Sequence, residues 1–178
     1  MVSVTQRYLV AAFSMLILVQ PVSAANAQSN EGGCRLEREA GSNRRILRCE
    51  RGLTIIAEPG ARFDLVDRNG DGKADGVNLR RRAILVDAPR PAVAGGFQVI
   101  TPQAIAAVRG TRWAVDVGRG RASVLVVEGR VGVRRPSASA GVTLGPGQGV
   151  DVEAGTGPLT VRRWPAARAA ALLARLGQ

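Results

Sequence analysis

The sequence predicts an all-β domain: stacked short strands forming a β-sandwich or a solenoid-like β-roll, closed by one short C-terminal α-helix. Three observations carry this. Short runs rich in valine, isoleucine and leucine recur along the chain, and the 22 glycines and 9 prolines among its 178 residues punctuate them. A faint internal repeat pairs an aromatic-centred strand with an aliphatic one, at 61–66 with 82–86 and again at 111–116 with 123–133. A weaker third copy runs over 142–161, and 165–178 then switch to strong helix formers.

The chain opens with Arg7, an apolar run over 8–19, the helix breaker Pro21 and the small residues of Ala25-Asn26-Ala27. That is the order of a secretory leader. The run is shorter than the roughly 20 apolar residues a membrane-spanning helix needs. Residues 1–27 are expected to be a signal peptide cleaved before Gln28, with Val22-Ser23-Ala24 as the alternative site and an uncleaved anchor as the competing reading. Cys34 follows Glu31-Gly32-Gly33 and lacks the apolar residue that lipidation would need. The mature chain is then periplasmic or secreted, with no stable transmembrane span. It has the length of one domain, residues 28–164 plus the tail, and can bury about two thirds of its unfolded surface. Losing the leader removes one arginine, so the formal charge falls from +11 to about +10. Lys73 is the only lysine.

Residues 34–49 read as a hairpin turning at Gly41-Ser42-Asn43. Counting outward from the turn sets Cys34 opposite Cys49 or nearly so, and an oxidising compartment favours a disulfide between them. With no histidine in the chain, a metal site built on this pair is disfavoured. Strands are then expected at 52–57, 62–67, 77–80, 83–87, 97–100, 112–117, 123–128, 130–134, 142–144, 149–152 and 159–162. Trp113, Val115 and Val117 share one face and should meet the core; a ligand platform is the alternative role for Trp113. In the tail, Pro165 suits a helix start and Gly177 a stop. Leu172, Leu173 and Leu176 share a face, which should cap an open sheet edge.

Residues 67–76 read DRNGDGKADG. Asp67, Asn69, Asp71 and Asp75 present oxygens at the first, third, fifth and ninth positions of a calcium loop, with the Lys73 carbonyl as a fifth ligand and Gly72 at the bend. The twelfth position is Asn78 rather than glutamate, so the pattern departs from an EF-hand. A polar turn joining two strands explains the same residues. Calcium is the one cofactor expected. Arginine clusters at 44–45, 80–82, 134–135 and 162–163 attract polyanions. Without aromatic side chains interleaved, they do not form a nucleic-acid stacking platform. The lack of histidine, of a nucleophile elbow and of a phosphate loop argues against an enzyme.

Residues 53–152 carry a second kind of information. Phe97-Gln98-Val99 leads into Thr101-Pro102, then a small-residue stretch over 104–108, then Arg109-Gly110-Thr111 and Trp113. A strand over 124–127, a turn at Glu128-Gly129, a strand over 131–133 and a closing turn at Gly147-Gln148 complete the order. This succession resembles the FecR domain, most closely over 97–133. The resemblance implies an all-β envelope module in which these motif residues are structural, and it assigns no catalytic residue. Arg109 is expected to pair with Glu128 or with turn carbonyls. The best-known members resemble regulators with a cytoplasmic anti-sigma segment and a transmembrane helix, and both are expected to be missing here. The expectation is therefore an exported, non-enzymatic interaction or signalling module that binds a partner protein. The alternative is a calcium-stabilised binder of anionic envelope polysaccharide.

Overall fold

The computed structural model describes residues 30–90, 96–108 and 110–178. The expected leader and Arg109 lie outside the described residues. Among those described, fourteen strands build two sheets that share one strand. In the first sheet β1 (Asn30–Glu31), β2 (Cys34–Arg38), β3 (Arg45–Cys49) and β4 (Thr54–Ala57) lead to β6 (Gly76–Ala88). Then come β9 (Thr111–Gly118), β10 (Arg121–Glu128), β13 (Gln148–Glu153) and β14 (Arg162–Arg163). The second sheet runs β5 (Arg62–Val66), β6, β7 (Phe97–Ile100), β8 (Ile105–Val108), β11 (Val131–Arg134), β12 (Gly141–Leu144).

The shared strand explains the shape. Residues 76–81 of β6 pair with β5, and 76–78 also with β7. Residues 82–88 pair with β9 and, in part, with β4. The changeover falls at Arg82, whose φ of 65° is left-handed. After β6 the hairpins alternate between layers: β7–β8 and β11–β12 in the second sheet, β9–β10 and β13–β14 in the first. This winding is a β-roll. The β6–β7 pair is parallel and the other described pairs are antiparallel, so hairpins lie side by side instead of stacking as parallel coils.

Alternation fills the space between the layers. Trp113, Val115 and Val117 of β9, Ala122, Val124 and Val126 of β10, and Ile84 and Val86 of β6 point inward. Val77, Leu79, Phe97, Val99, Val131 and Val133 meet them from the second sheet. Trp113 is fully buried and meets Phe97 edge to face, centroids 6.2 Å apart. The first sheet is also covered outside. Ala83, Leu85, Ala114 and Leu125 point away from the main core and pack beneath Trp164, Leu172 and Leu176.

That outer cover is α1 (Ala166–Arg175), which follows Pro165. Gly177 turns left-handed at φ 78°, and the Gln178 and Gly177 amides donate to the Leu173 and Ala174 carbonyls, both at 3.0 Å. The helix therefore sits on a sheet face, not on the open edge the sequence suggested. Three other expectations need correction. The strands expected at 77–80 and 83–87 are one strand, because Arg82 redirects the ladder without ending it. Ile105–Val108, read as a small-residue stretch, is a strand held between β7 and β11. The last strand is only Arg162–Arg163, not 159–162.

Candidate functional site

Cys34 and Cys49 are directly paired across β2 and β3 and form the disulfide. Most of the other motif residues hold turns together. The Thr101 hydroxyl donates to the Ala104 carbonyl at 2.9 Å and accepts from the Ala104 amide at 2.8 Å, while Pro102 breaks the ladder between β7 and β8. The Thr111 hydroxyl donates to the Arg130 carbonyl at 3.0 Å. This ties the Gly110-Thr111 turn to the Glu128-Gly129 turn. At Gly129, φ is 85° and a β-carbon would lie 2.7 Å from the Gly110 carbonyl oxygen, so only glycine fits. Glu128 is exposed and faces Arg112 across the strands. The Gly147 amide donates to Val126 and its carbonyl accepts from the Trp164 amide, while the Gln148 side chain accepts from Gly145. Trp113 lies in the core, and its indole N–H has no acceptor among the described residues.

The loop after β5 is organised around its own amides. Asp67 accepts from the Gly70 and Gly72 amides, both at 2.8 Å, Asn69 from Asp71 at 3.1 Å, and Asp71 from Lys73 at 2.9 Å. Asp75 is buried and turned to Arg68, at 2.9 Å, and the Lys73 ammonium pairs with Glu50 at 2.7 Å. Among the described residues no three acidic, histidine or cysteine side chains converge on one point. Beside this loop a cleft of 420 Å³ runs between β2–β3 and β5, lined by Leu36, Phe63 and Leu65. The Arg45 guanidinium covers Phe63, 4.6 Å from the ring centre.

The most distinctive surface lies over the middle strands of the first sheet. A cleft of 600 Å³ is bounded by Arg81 and Arg82 at the β6 changeover, Arg119 at the β9–β10 turn, Arg121 on β10 and Arg175 at the end of α1. Asp116 is the acidic residue in its wall. Beneath it the Glu58 carboxylate, 7 % exposed, takes Arg175 at 2.6 Å, Arg82 at 3.2 Å and the Ala83 amide at 3.1 Å. Burial works to raise the Glu58 carboxyl, but hydrogen bonds from Arg175, the Ala83 amide and Arg82, together with the Arg175 charge, prevail and hold it below its ordinary range. Hydrogen bonds that Arg175 donates to Asp116 and then to Glu58 push its guanidinium further above its ordinary value. Next to the cleft, burial would raise Asp151, yet the Arg168 and Ser123 hydrogen bonds outweigh it and lower it. Arg168 also lies over Trp164, 3.6 Å from the ring centre. Sequence clusters pointed to Arg80–Arg82 alone. Arg119, Arg121, Arg175 and Glu58 were missed because only folding brings them together.

Residues 45–132 match the family model described as FecR protein. The chain carries a FecR domain. The match runs from β3 into β11, so β12 to β14 and α1 lie beyond it. Four of the cleft arginines belong to the FecR domain, and Arg175 comes from the helix. No curated protein matches. Among solved structures, the fold is similar to a "putative anti-sigma factor" from Parabacteroides distasonis ATCC 8503, at 18% identity and a TM-score of 0.58. That alignment covers 78% of this chain and 64% of the other, so this chain spans less than two thirds of its length. A second structure with the same description and organism aligns at 18% identity and TM-score 0.47, covering 82% and 62%. Among the described residues no helix is long and apolar enough to cross a membrane.

Proposed function

We propose that this chain is a non-enzymatic signalling module of the bacterial envelope that acts by binding a partner protein. The FecR domain carries the reading, since it belongs to a regulatory family. The fold shared with the Parabacteroides protein supports it at the level of architecture. The Cys34–Cys49 disulfide fits an oxidising, extracytoplasmic location. The described motif residues fit a structural role, since they tie turns together.

The test is capture on the disulfide-bonded protein, tagged at the C-terminus, from an envelope extract of its source. A protein retained in near-equimolar amount and displaced by excess untagged chain is the expected result. Retention of nothing that the untagged chain displaces would overturn the reading.

A further inference from the structure

We propose that the cleft bounded by Arg81, Arg82, Arg119, Arg121 and Arg175 docks a short acidic peptide segment of a partner protein through its carboxylates. The proposal rests on the partner-binding reading and adds the surface and the chemistry.

Charge is the first support. The wall carries five guanidinium groups against Asp116. Asp116 is already held by Arg175, and Glu58 by Arg82 and Arg175. Among the described residues Arg81 and Arg119 form no ion pair, and Arg121 reaches Asp151 and Glu153 only at 4.0 and 3.9 Å. Arg81 stands directly opposite Arg62 on β5, a like-charge pairing that works against the sheet. A second anion would relieve what the fold leaves uncompensated.

Backbone geometry is the second. Arg119 and Gly120 form a two-residue hairpin loop with φ of 52° and 73°. Such a turn favours asparagine, aspartate or glycine at its first position. Arginine there carries left-handed strain that the turn itself does not require. Arg82 is left-handed too, at 65°. Among the described residues, two of the four non-glycine residues with positive φ thus line this one cleft.

The site also displays its preferred partner. Arg175 grips Asp116 with both oxygens, at 2.7 and 3.1 Å, the forked geometry that guanidinium and carboxylate share. Some other arginines are engaged: Arg44 with Glu39 at 2.6 Å, Arg45 over Phe63, Arg135 on the Glu153 and Gly157 carbonyls. Within this cleft the weakly held charge is confined to Arg81, Arg119 and Arg121, a span that suits a short acidic segment better than a long polyanion. The volume of 600 Å³ falls within the ordinary range of ligand sites.

The experiment uses a hexaglutamate peptide with blocked ends, titrated into the disulfide-bonded protein at about 50 mM salt and followed by calorimetry. Binding is expected to weaken about tenfold for each guanidinium removed in the series Arg119→Asn, Arg81→Gln, Arg121→Gln. Arg119→Asn suits the turn, so its melting midpoint should hold or rise while affinity falls. An equal-charge control, Arg35→Gln with Arg38→Gln and Arg48→Gln on the distant hairpin, should bind as the wild type does. No binding to the wild type, or equal losses in the control, would overturn the cleft. Tighter binding of a heparin oligosaccharide than of hexaglutamate would overturn the acidic peptide in favour of a glycan. If the wild type ignores hexaglutamate yet still captures a displaceable partner from extract, only this proposal fails; if capture fails as well, both do.

Discussion

Glu58→Gln isolates the link between the β-roll and its helix. The substitution keeps size and shape but removes the charge that gathers Arg82, Arg175 and the Ala83 amide at 2.6 to 3.2 Å. Glutamine presents one oxygen and must turn an NH2 group toward a donor. Hydrogen bonds to charged groups contribute about 1.5–3 kcal/mol each, but Arg82 and Arg175 are 44% and 41% exposed, so water recovers part of the loss. A net cost of about 2–3 kcal/mol follows, which lowers the melting midpoint by about 4–12 °C for a domain of this size. The pH dependence makes the test specific. The Glu58 pKa is depressed in the folded state from an ordinary 4.5, so its contribution is present above that value and is lost as pH falls through the folded pKa. Calorimetric midpoints of the two proteins should differ most near neutral pH and converge as pH falls below about 4.5. An undiminished difference at pH of about 3, or no difference at neutral pH, would refute the account.

Three more outcomes can be checked. Trp113→Ala should cost about 3–5 kcal/mol by denaturant titration, because the ring is fully buried against Phe97; an unchanged midpoint would place it at the surface. Reduction, or Cys34→Ser with Cys49→Ser, should cost about 3 kcal/mol for a bridge spanning a sequence separation of 15, read by the same titration. Calcium can fill the Asp67–Asp75 loop only by breaking the Arg68–Asp75 pair, so its Kd should be about 10⁻³ M or weaker, adding at most about 0.4 kcal/mol at 1 mM. A calorimetric Kd below 10⁻⁴ M, abolished by Asp67→Ala with Asp71→Ala, would show that the loop reorganises around the ion.

Much of the scaffold could be read from residue order because its cues are local. Cys34 and Cys49 lie at nearly equal distances from a Gly41-Ser42-Asn43 turn, and alternation in 111–117 put Trp113, Val115 and Val117 on one face. The failures have non-local causes. Ile105-Ala106-Ala107-Val108 is weak as an isolated strand, and two flanking partners make it one. Arg80-Arg81-Arg82 looks like a turn, yet the backbone only changes its neighbours there. The helix was placed on an edge because sequence cannot show that Leu85, Ala114 and Leu125 form a second apolar face. The arginine cleft was hidden for the same reason, since it joins β6, the β9–β10 turn and α1. One local cue did exist: arginine at a turn position that favours asparagine.

A strand owned by two sheets also sets how the chain must fold. Gly76–Ala88 needs β4 and β5 from before it and β7 and β9 from after it. Neither layer is complete until this strand has found both sets of neighbours. Loop closure over long stretches must come before the contacts that reward it, which should make folding slow. Unfolding inherits the same constraint. Releasing these thirteen residues would cut the ladders that join β4 to β9 and β5 to β7.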